Sequence, residues 1–218
     1  MSIKVIIFDF DGTVADTFEA IVDITNKLAP EFGYQPVSQQ DIIRFKKMTS
    51  REIIKYSGIS LFKLPFLLKK LKLELNEMIH LLSPIIGMKD ALMCLHKKGY
   101  QLGMITSNDK NNVVKFLDNN SLPDLFDFLY CGTNLFGKSK VINRFLKINC
   151  LKREEIIYVG DETRDIEAGK KSQIKVIAVS WGFNAKEALA KEKPDFLIDQ
   201  PSELITVIEK LHQFDLKI

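Results

Sequence analysis

Cysteine is scarce in this 218-residue chain: there are three, Cys94, Cys131 and Cys150, odd in number and far apart. Their spacing matches no metal motif and builds no disulfide framework, so reduced, buried thiols are expected. Histidine is equally scarce. His80, His96 and His212 fall in or beside helical stretches, and none is assigned a catalytic role. No apolar run is long enough to cross a bilayer. Met1 leads straight into a strand pattern, with no secretory leader. These absences point to a cytoplasmic protein without a membrane partner. Charge is nearly balanced, at a net +3. The lysines come in scattered pairs such as Lys69-Lys70, Lys97-Lys98 and Lys170-Lys171, which read as solvated helix faces, so no nucleic-acid partner is expected. No repeat or low-complexity tract is present. What remains is a chain with 46% hydrophobic residues, typical of a globular protein, and long enough for one large domain or a domain with an insertion.

The most informative stretch is Val5-Ile6-Ile7-Phe8-Asp9-Phe10-Asp11-Gly12-Thr13-Val14-Ala15-Asp16. A short β-branched run, Ile3 to Phe8, reads as a strand buried on both faces, suited to the middle of a parallel sheet. It ends in two carboxylates spaced two apart, and Gly12 and Thr13 then break it. A period of two would point Asp9 and Asp11 to the same side. They would lie at a carboxyl edge, where open α/β sheets place their ligands. Carboxylates that close repel unless a cation or a shared proton intervenes. A helix-capping turn would explain Asp11 or Asp16 alone, but not Asp9 at the end of an apolar strand.

Residues 17–82 carry helical periodicity and almost no strand signal. Phe18, Ile21, Val22, Ile24 and Leu28 mark an amphipathic helix closed by Pro30 and Gly33. Ser38 with Asp41, and Thr49 with Glu52, open two further helices in the manner of N-caps, the second ending at Gly58. Leu61 to Leu82 continues as leucine- and lysine-rich helix. From Ser83-Pro84 onward helix and strand alternate. Strands are expected at Leu102–Ile105, Phe128–Cys131, Ile156–Val159, Ile174–Val179 and Phe196–Ile198. Helices are expected at Met88–Lys98, Val113–Leu117, Lys140–Ile148, Ile166–Lys171 and Ser202–Leu211. Such alternation predicts right-handed crossovers and an α/β, Rossmann-like, doubly wound parallel sheet, carried by residues 1–15 and 84–218. Residues 16–83 would form a helical bundle inserted after the first strand.

Several strands end in residues able to handle a phosphate. The first supplies Asp9 and Asp11. The second supplies Thr106, with Ser107 and Asn108 beside it. The fourth supplies Asp161 and then Asp165. Lys138 follows the third strand after a glycine-containing loop. Each alone is weak: a hydroxyl after a strand is usually a helix cap, and a lone lysine is usually solvated. Their order along one sheet edge is much harder to attribute to chance.

The sequence resembles the haloacid dehalogenase superfamily, subfamily IA, in its phosphoglycolate phosphatase-like branch. Asp9-Phe10-Asp11-Gly12-Thr13 meets the first signature of that family. Thr106 meets the second. Lys138 meets the third, with Lys140 a poorer match, and Gly160-Asp161 with Asp165 meets the fourth. The resemblance covers essentially the whole chain and implies a C1-type helical cap over residues 16–83.

It further implies a phosphatase acting on a small organic phosphomonoester, phosphoglycolate-like or a sugar phosphate, by way of an aspartyl-phosphate. Asp9 would attack phosphorus. Asp11 would protonate the leaving oxygen and then deprotonate the hydrolytic water, which requires a raised pKa. The cofactor implied is Mg²⁺, a hard cation that prefers oxygen ligands. Asp9 and Asp161 would bind it through carboxylates and Asp11 through its backbone carbonyl, with Asp165 a further ligand or an orienting residue. Thr106, Ser107, Gly12 and Lys138 would hold the phosphoryl group. Lys47 and Arg51 resemble a substrate-specificity loop in the cap, whereas Lys46 and Trp181 read as solvated and as core. Asp11 separates the chain from dehalogenases, which lack this acid. It does not separate it from a phosphomutase of the β-phosphoglucomutase type, which is the alternative. A non-catalytic binding protein on the same fold is less consistent with the intact set. A monomer and a homodimer both remain open.

Overall fold

The computed structural model describes residues 3–215, with side chains through Leu211, so the His212 side chain lies outside the described residues. In chain order the elements are β1 (Val5–Phe8), α1 (Phe18–Phe32), α2 (Gln39–Phe45), α3 (Ser50–Tyr56), α4 (Leu64–Met78), α5 (Met88–Lys97), β2 (Gln101–Ile105), α6 (Lys110–Asn119), β3 (Phe128–Tyr130), α7 (Lys138–Ile148), β4 (Ile156–Gly160), α8 (Thr163–Ser172), β5 (Lys175–Val179), α9 (Lys186–Lys191), β6 (Phe196–Ile198) and α10 (Glu203–Asp215). Among the described residues no helix is long and apolar enough to cross a membrane.

The six strands form one parallel sheet in the order β3-β2-β1-β4-β5-β6. This is a doubly wound sheet, and β1 sits where the strand order reverses. Its alternation has a simple physical result. Ile6 and Phe8 enter the core that α1, α5, α6 and α10 cover, through residues such as Leu28, Leu92, Phe116 and Ile208. Val5 and Ile7 enter the core on the opposite face, with Ile142 and Phe145 of α7 and Ile166 of α8. A strand with apolar side chains on both faces has no stable place except the sheet interior. Its register, Val5 opposite Gln101 and Ile156, brings the carboxyl ends of β1, β2 and β4 level.

Helices α1 to α4 follow one another between β1 and α5, and buried residues of α1 and α4 join the core on the Ile6 and Phe8 face. The chain leaves and re-enters the sheet layer at one point: Asp16 N donates to Ser83 O at 3.0 Å and Ile85 N to Val14 O at 3.0 Å. Ser38 and Asp41 cap α2 reciprocally, as do Thr49 and Glu52 at α3, which is why two seven-residue helices start cleanly there. Neither of these helices has a fully buried residue.

Some local expectations shift. Pro30 does not close α1 but lies inside its last turn, where the ring removes only the bond to the Asn26 carbonyl; Gly33, left-handed at φ 77°, ends the helix. Helix α7 begins at Lys138, not Lys140. The short helix α9 carried too little periodicity to be anticipated. The thiols are not buried: Cys94 and Cys131 are half-buried and Cys150, in the turn after α7, is exposed.

Candidate active site

Asp9 continues the β1 ladder by donating its amide to Val159 O at 2.9 Å, and the residue is 1% exposed. Its Oδ1 accepts the Phe10 amide at 2.8 Å, and its Oδ2 lies 2.5 Å from Lys138 Nζ. The chain then turns sharply, with the amides of Thr13, Val14 and Ala15 all donating to Phe10 O. Gly12 makes that turn possible at φ +71°. A Cβ there would sit 2.4 Å from Asp161 Oδ2 and 2.5 Å from the Phe183 ring, so the backbone itself is the wall against which these groups pack. At Gly12, expected to help hold the phosphoryl group, the structure shows a tight turn. Its amide is committed to Ala15 O at 2.9 Å, and what the position supplies is close approach.

Asp161, at the end of β4, is fully buried and has both oxygens engaged. Thr13 Oγ1 donates to Oδ1 at 2.6 Å and the Phe183 amide to Oδ2 at 2.7 Å. Asp165 sits in the first turn of α8, where its Oδ2 accepts the Glu162 amide at 3.1 Å and its Oδ1 accepts from Lys138 Nζ at 2.6 Å. Lys138, the first residue of α7, thus bridges Asp9 and Asp165 with a side chain only 2% exposed. Lys140 is exposed, which decides between the two lysines.

Asp11 turns away from this group. Asn108 Nδ2 donates to both of its oxygens, at 3.0 and 3.1 Å. Asn108 is in turn held by Asn112 of α6, whose Nδ2 donates to Asn108 Oδ1 at 2.9 Å and to Lys72 O of α4 at 3.0 Å. Thr106 is fully buried at the end of β2, its Oγ1 accepting the Asn108 amide at 3.0 Å. Ser107 follows it, half-buried.

The electrostatics separate these carboxylates. Burial first, and Asp9 second, push Asp11 up to about 7, partly offset by Asn108. Burial raises Asp165 to about 6 although Lys138 opposes it. Burial, then Glu162, Asp9 and Asp165, hold Asp161 well above the usual carboxylate range. Burial works against the charge on Lys138, but Asp165 and Asp9 outweigh it and raise its pKa. One carboxylate oxygen from each of Asp9, Asp161 and Asp165 lies within 4.8 Å of the other two, and all three residues are buried. Hard oxygen donors at this spacing, with negative charge in excess, fit a divalent cation. The Asp11 carboxylate is not one of the three.

Some neighbours of the site carried no clear signal. Arg164 lies under the cluster, its guanidinium pairing with Glu162 and donating to Leu135 O at 3.3 Å. Only its place two residues past Glu162, at a helix start, hinted at this. Asn184 fastens the cap loop, donating to Met48 O at 2.9 Å, while Ser50 Oγ donates to Glu162 Oε2 at 2.9 Å. Trp181 packs against the core and donates to Thr13 O at 3.2 Å.

Lys47 and Arg51, expected to contact substrate, lie at the loop between α2 and α3 and at the start of α3. Lys47 is exposed. Arg51 lies over the Phe136 ring at 4.7 Å and pairs with Glu167 of α8 at 3.4 Å, on the outside of the core. The cation facing inward is Lys46, which closes α2 and sits over the Phe18 ring at 4.2 Å.

Comparison with known proteins agrees with this geometry. A family model of haloacid dehalogenase-like hydrolases matches residues 6–179. A phosphoglycolate phosphatase of Synechococcus elongatus is 33% identical over 208 residues, covering 95% of this chain and 98% of that protein. A pyrophosphatase PpaX of Anoxybacillus flavithermus is 26% identical over 216 residues, covering 95% of this chain and 98% of its own. Among solved structures, a haloacid dehalogenase-like hydrolase of Streptococcus pneumoniae shares the fold, with a TM-score of 0.77 at 22% identity over 94% of this chain and 98% of that one.

Proposed function

The chain belongs to the haloacid dehalogenase-like hydrolase family, and from that premise we propose that it is a Mg²⁺-dependent phosphatase of a small organic phosphomonoester, working through an aspartyl-phosphate on Asp9. The observation that carries this reading is the division of labour between two carboxylates two residues apart. Asp9 is fixed at the sheet edge by Phe10 and Lys138, whereas Asp11 is pushed up to about 7 and can carry a proton near neutral pH.

Asp9 attacks phosphorus in line with the leaving oxygen. Asp11 gives its proton to that oxygen as the ester bond breaks, and takes one from the water that later cleaves the acyl phosphate. Lys138 and Thr106, with the adjoining backbone, meet the oxygens of the transferring phosphoryl group, and Ser107 stands next in line. A donor of this kind is worth about 2.7–4 kcal/mol in the transition state. Asp9 and Asp161 would hold the cation, with Asp165 beside them and the Asp11 carbonyl as a further ligand. When bound, the cation supplies charge neutralisation that lets an anionic nucleophile approach an anionic ester. Residues 16–83 act as the cap that closes the site from water.

The test is direct. The wild-type protein releases inorganic phosphate from p-nitrophenyl phosphate with Mg²⁺, and neither Asp9→Asn nor the chelated enzyme does so. Unchanged turnover in Asp9→Asn would refute the nucleophile, and activity surviving thorough chelation would refute the metal. An isomerised sugar phosphate in place of released phosphate would replace hydrolysis by phosphoryl return.

A further inference from the structure

The cap encloses a cavity of about 640 Å³, a volume in the range of pockets that bury drug-sized ligands, about 300–1,000 Å³. Its walls are mostly apolar: Ile21 and Val22 of α1, Ile54 of α3 and Leu68 of α4 face it, with Phe18 and Phe183 at the end toward the catalytic rim. This accounts for a feature that is otherwise odd. Helices α2 and α3 carry Ile42, Phe45, Ile53 and Ile54, yet bury none of them fully. Those side chains border a space instead of a packed neighbour.

The space is held open from both ends. On the rim side, the Ala185 amide donates to Lys46 O at 2.6 Å and Ser50 to Glu162. On the far side, Asn26 exchanges two hydrogen bonds with Val37, at 3.1 and 2.6 Å. The helices cannot simply collapse onto α1 and α4 without breaking these ties. Polar groups also line the cavity, Lys46, Ser50, Glu162 and Asn184 on the rim side and Gln35 and Asp41 in addition. The partition from the reacting carboxylates is thin. The ring of Phe183 packs on Gly12 and on Phe18, 5.2 Å between centroids, while its own amide holds Asp161.

We infer that this cavity receives the organic part of the substrate, and that the preferred phosphomonoester carries an apolar alkyl or aryl group that lies past Phe18 and Phe183 between the cap helices. The inference rests on the phosphatase reading and goes beyond it by stating the chemistry of the leaving group. A two-carbon acid or a sugar would leave most of these walls without a partner.

The test uses n-alkylphosphonates from methyl to octyl, which carry the anionic head but have no ester to cleave. Their binding to the wild-type protein with Mg²⁺ is measured by calorimetry. Each added methylene should tighten binding about three- to fourfold until the cavity is full. Val22→Phe and, independently, Leu68→Phe should flatten that climb by occupying the space. Binding that ignores chain length, a climb that both fillings leave intact, or no binding at all overturns the inference. The phosphatase reading is judged separately, by phosphate release from p-nitrophenyl phosphate and its loss in Asp9→Asn, so the two can fail independently.

Discussion

Replacing Lys138 by methionine keeps an unbranched side chain and removes one charge. In the parent, that charge lies 2.5 Å from Asp9 and 2.6 Å from Asp165, with 2% of the side chain exposed, so water cannot take its place. Breaking a buried ion pair from one side costs about 3–5 kcal/mol. Here a single cation serves two carboxylates, so the loss should fall toward the top of that range, about 4–5 kcal/mol near pH 8 without metal. The pH dependence follows from Asp165. It stands at about 6 even with the lysine present, and loses its main counter-charge in the variant. A carboxylate raised in the folded state keeps protons that the unfolded chain releases, so stability is retained at low pH and lost as pH rises through the raised value. The deficit should therefore shrink as pH falls to about 5.5. Adding Mg²⁺ at pH 8 should recover part of it. Turnover of p-nitrophenyl phosphate should drop about 10²–10³-fold, the effect of removing one preorganised donor. Urea denaturation in EDTA at both pH values, with turnover measured alongside, tests this. A deficit below about 1 kcal/mol at pH 8, or one equally large at pH 5.5, refutes the placement of Lys138 as the shared counter-ion.

Gly12→Ala forces a Cβ to within 2.4 Å of Asp161 Oδ2 at a backbone φ of +71°; it should destabilise by about 1–3 kcal/mol and displace Asp161, and unchanged melting would contradict the packing described. Asn108→Ala removes the donor that lowers Asp11. The basic limb of the kcat pH profile should move to higher pH, because the acid must be protonated to serve the leaving oxygen; a limb that stays or moves down argues against Asp11 as that acid. In EDTA the wild-type protein should lose stability as pH rises from about 5 to 8. Asp11 at about 7 and Asp165 at about 6 both bind protons in the folded state that they release on unfolding. Denaturation midpoints across that range should show the fall, and Mg²⁺ should flatten it.

The sheet was legible because its strands are buried on both faces. The run Val5 to Phe8 can satisfy both cores only at the centre, and the polar residues that end β1, β2 and β4 then fall on one edge. Asp9, Thr106, Asp161, Asp165 and Lys138 were readable for that reason: each directly follows a strand or opens the helix after one. The close approach of Phe183 and Asp161 to Gly12 leaves no local trace in the sequence. Lys46, Lys47 and Arg51 are close in sequence, and which of them borders the cavity depends on rotamer and helix phase, which leave no trace in residue order. Arg164, Asn112 and Asn184 act across 29, 40 and 136 residues of separation respectively. No spacing rule spans such distances. Helix α9 was missed because six residues do not complete a readable period.

Two of these long-range contacts, those of Asn112 and Asn184, tie the cap to the carboxylate site from two sides. On one side Asp11 is held by Asn108, Asn108 by Asn112, and Asn112 by the Lys72 carbonyl in α4. On the other, Asp161 is held by the Phe183 amide, and the next residue, Asn184, grips the loop between α2 and α3. A cap that swung away would have to give up the Asn112 and Asn184 bonds, and both of those side chains are buried. The docked arrangement thus contains the same geometry that orients Asp11 and Asp161. Cap position and carboxylate position are thus coupled through the amide side chains of Asn112 and Asn184.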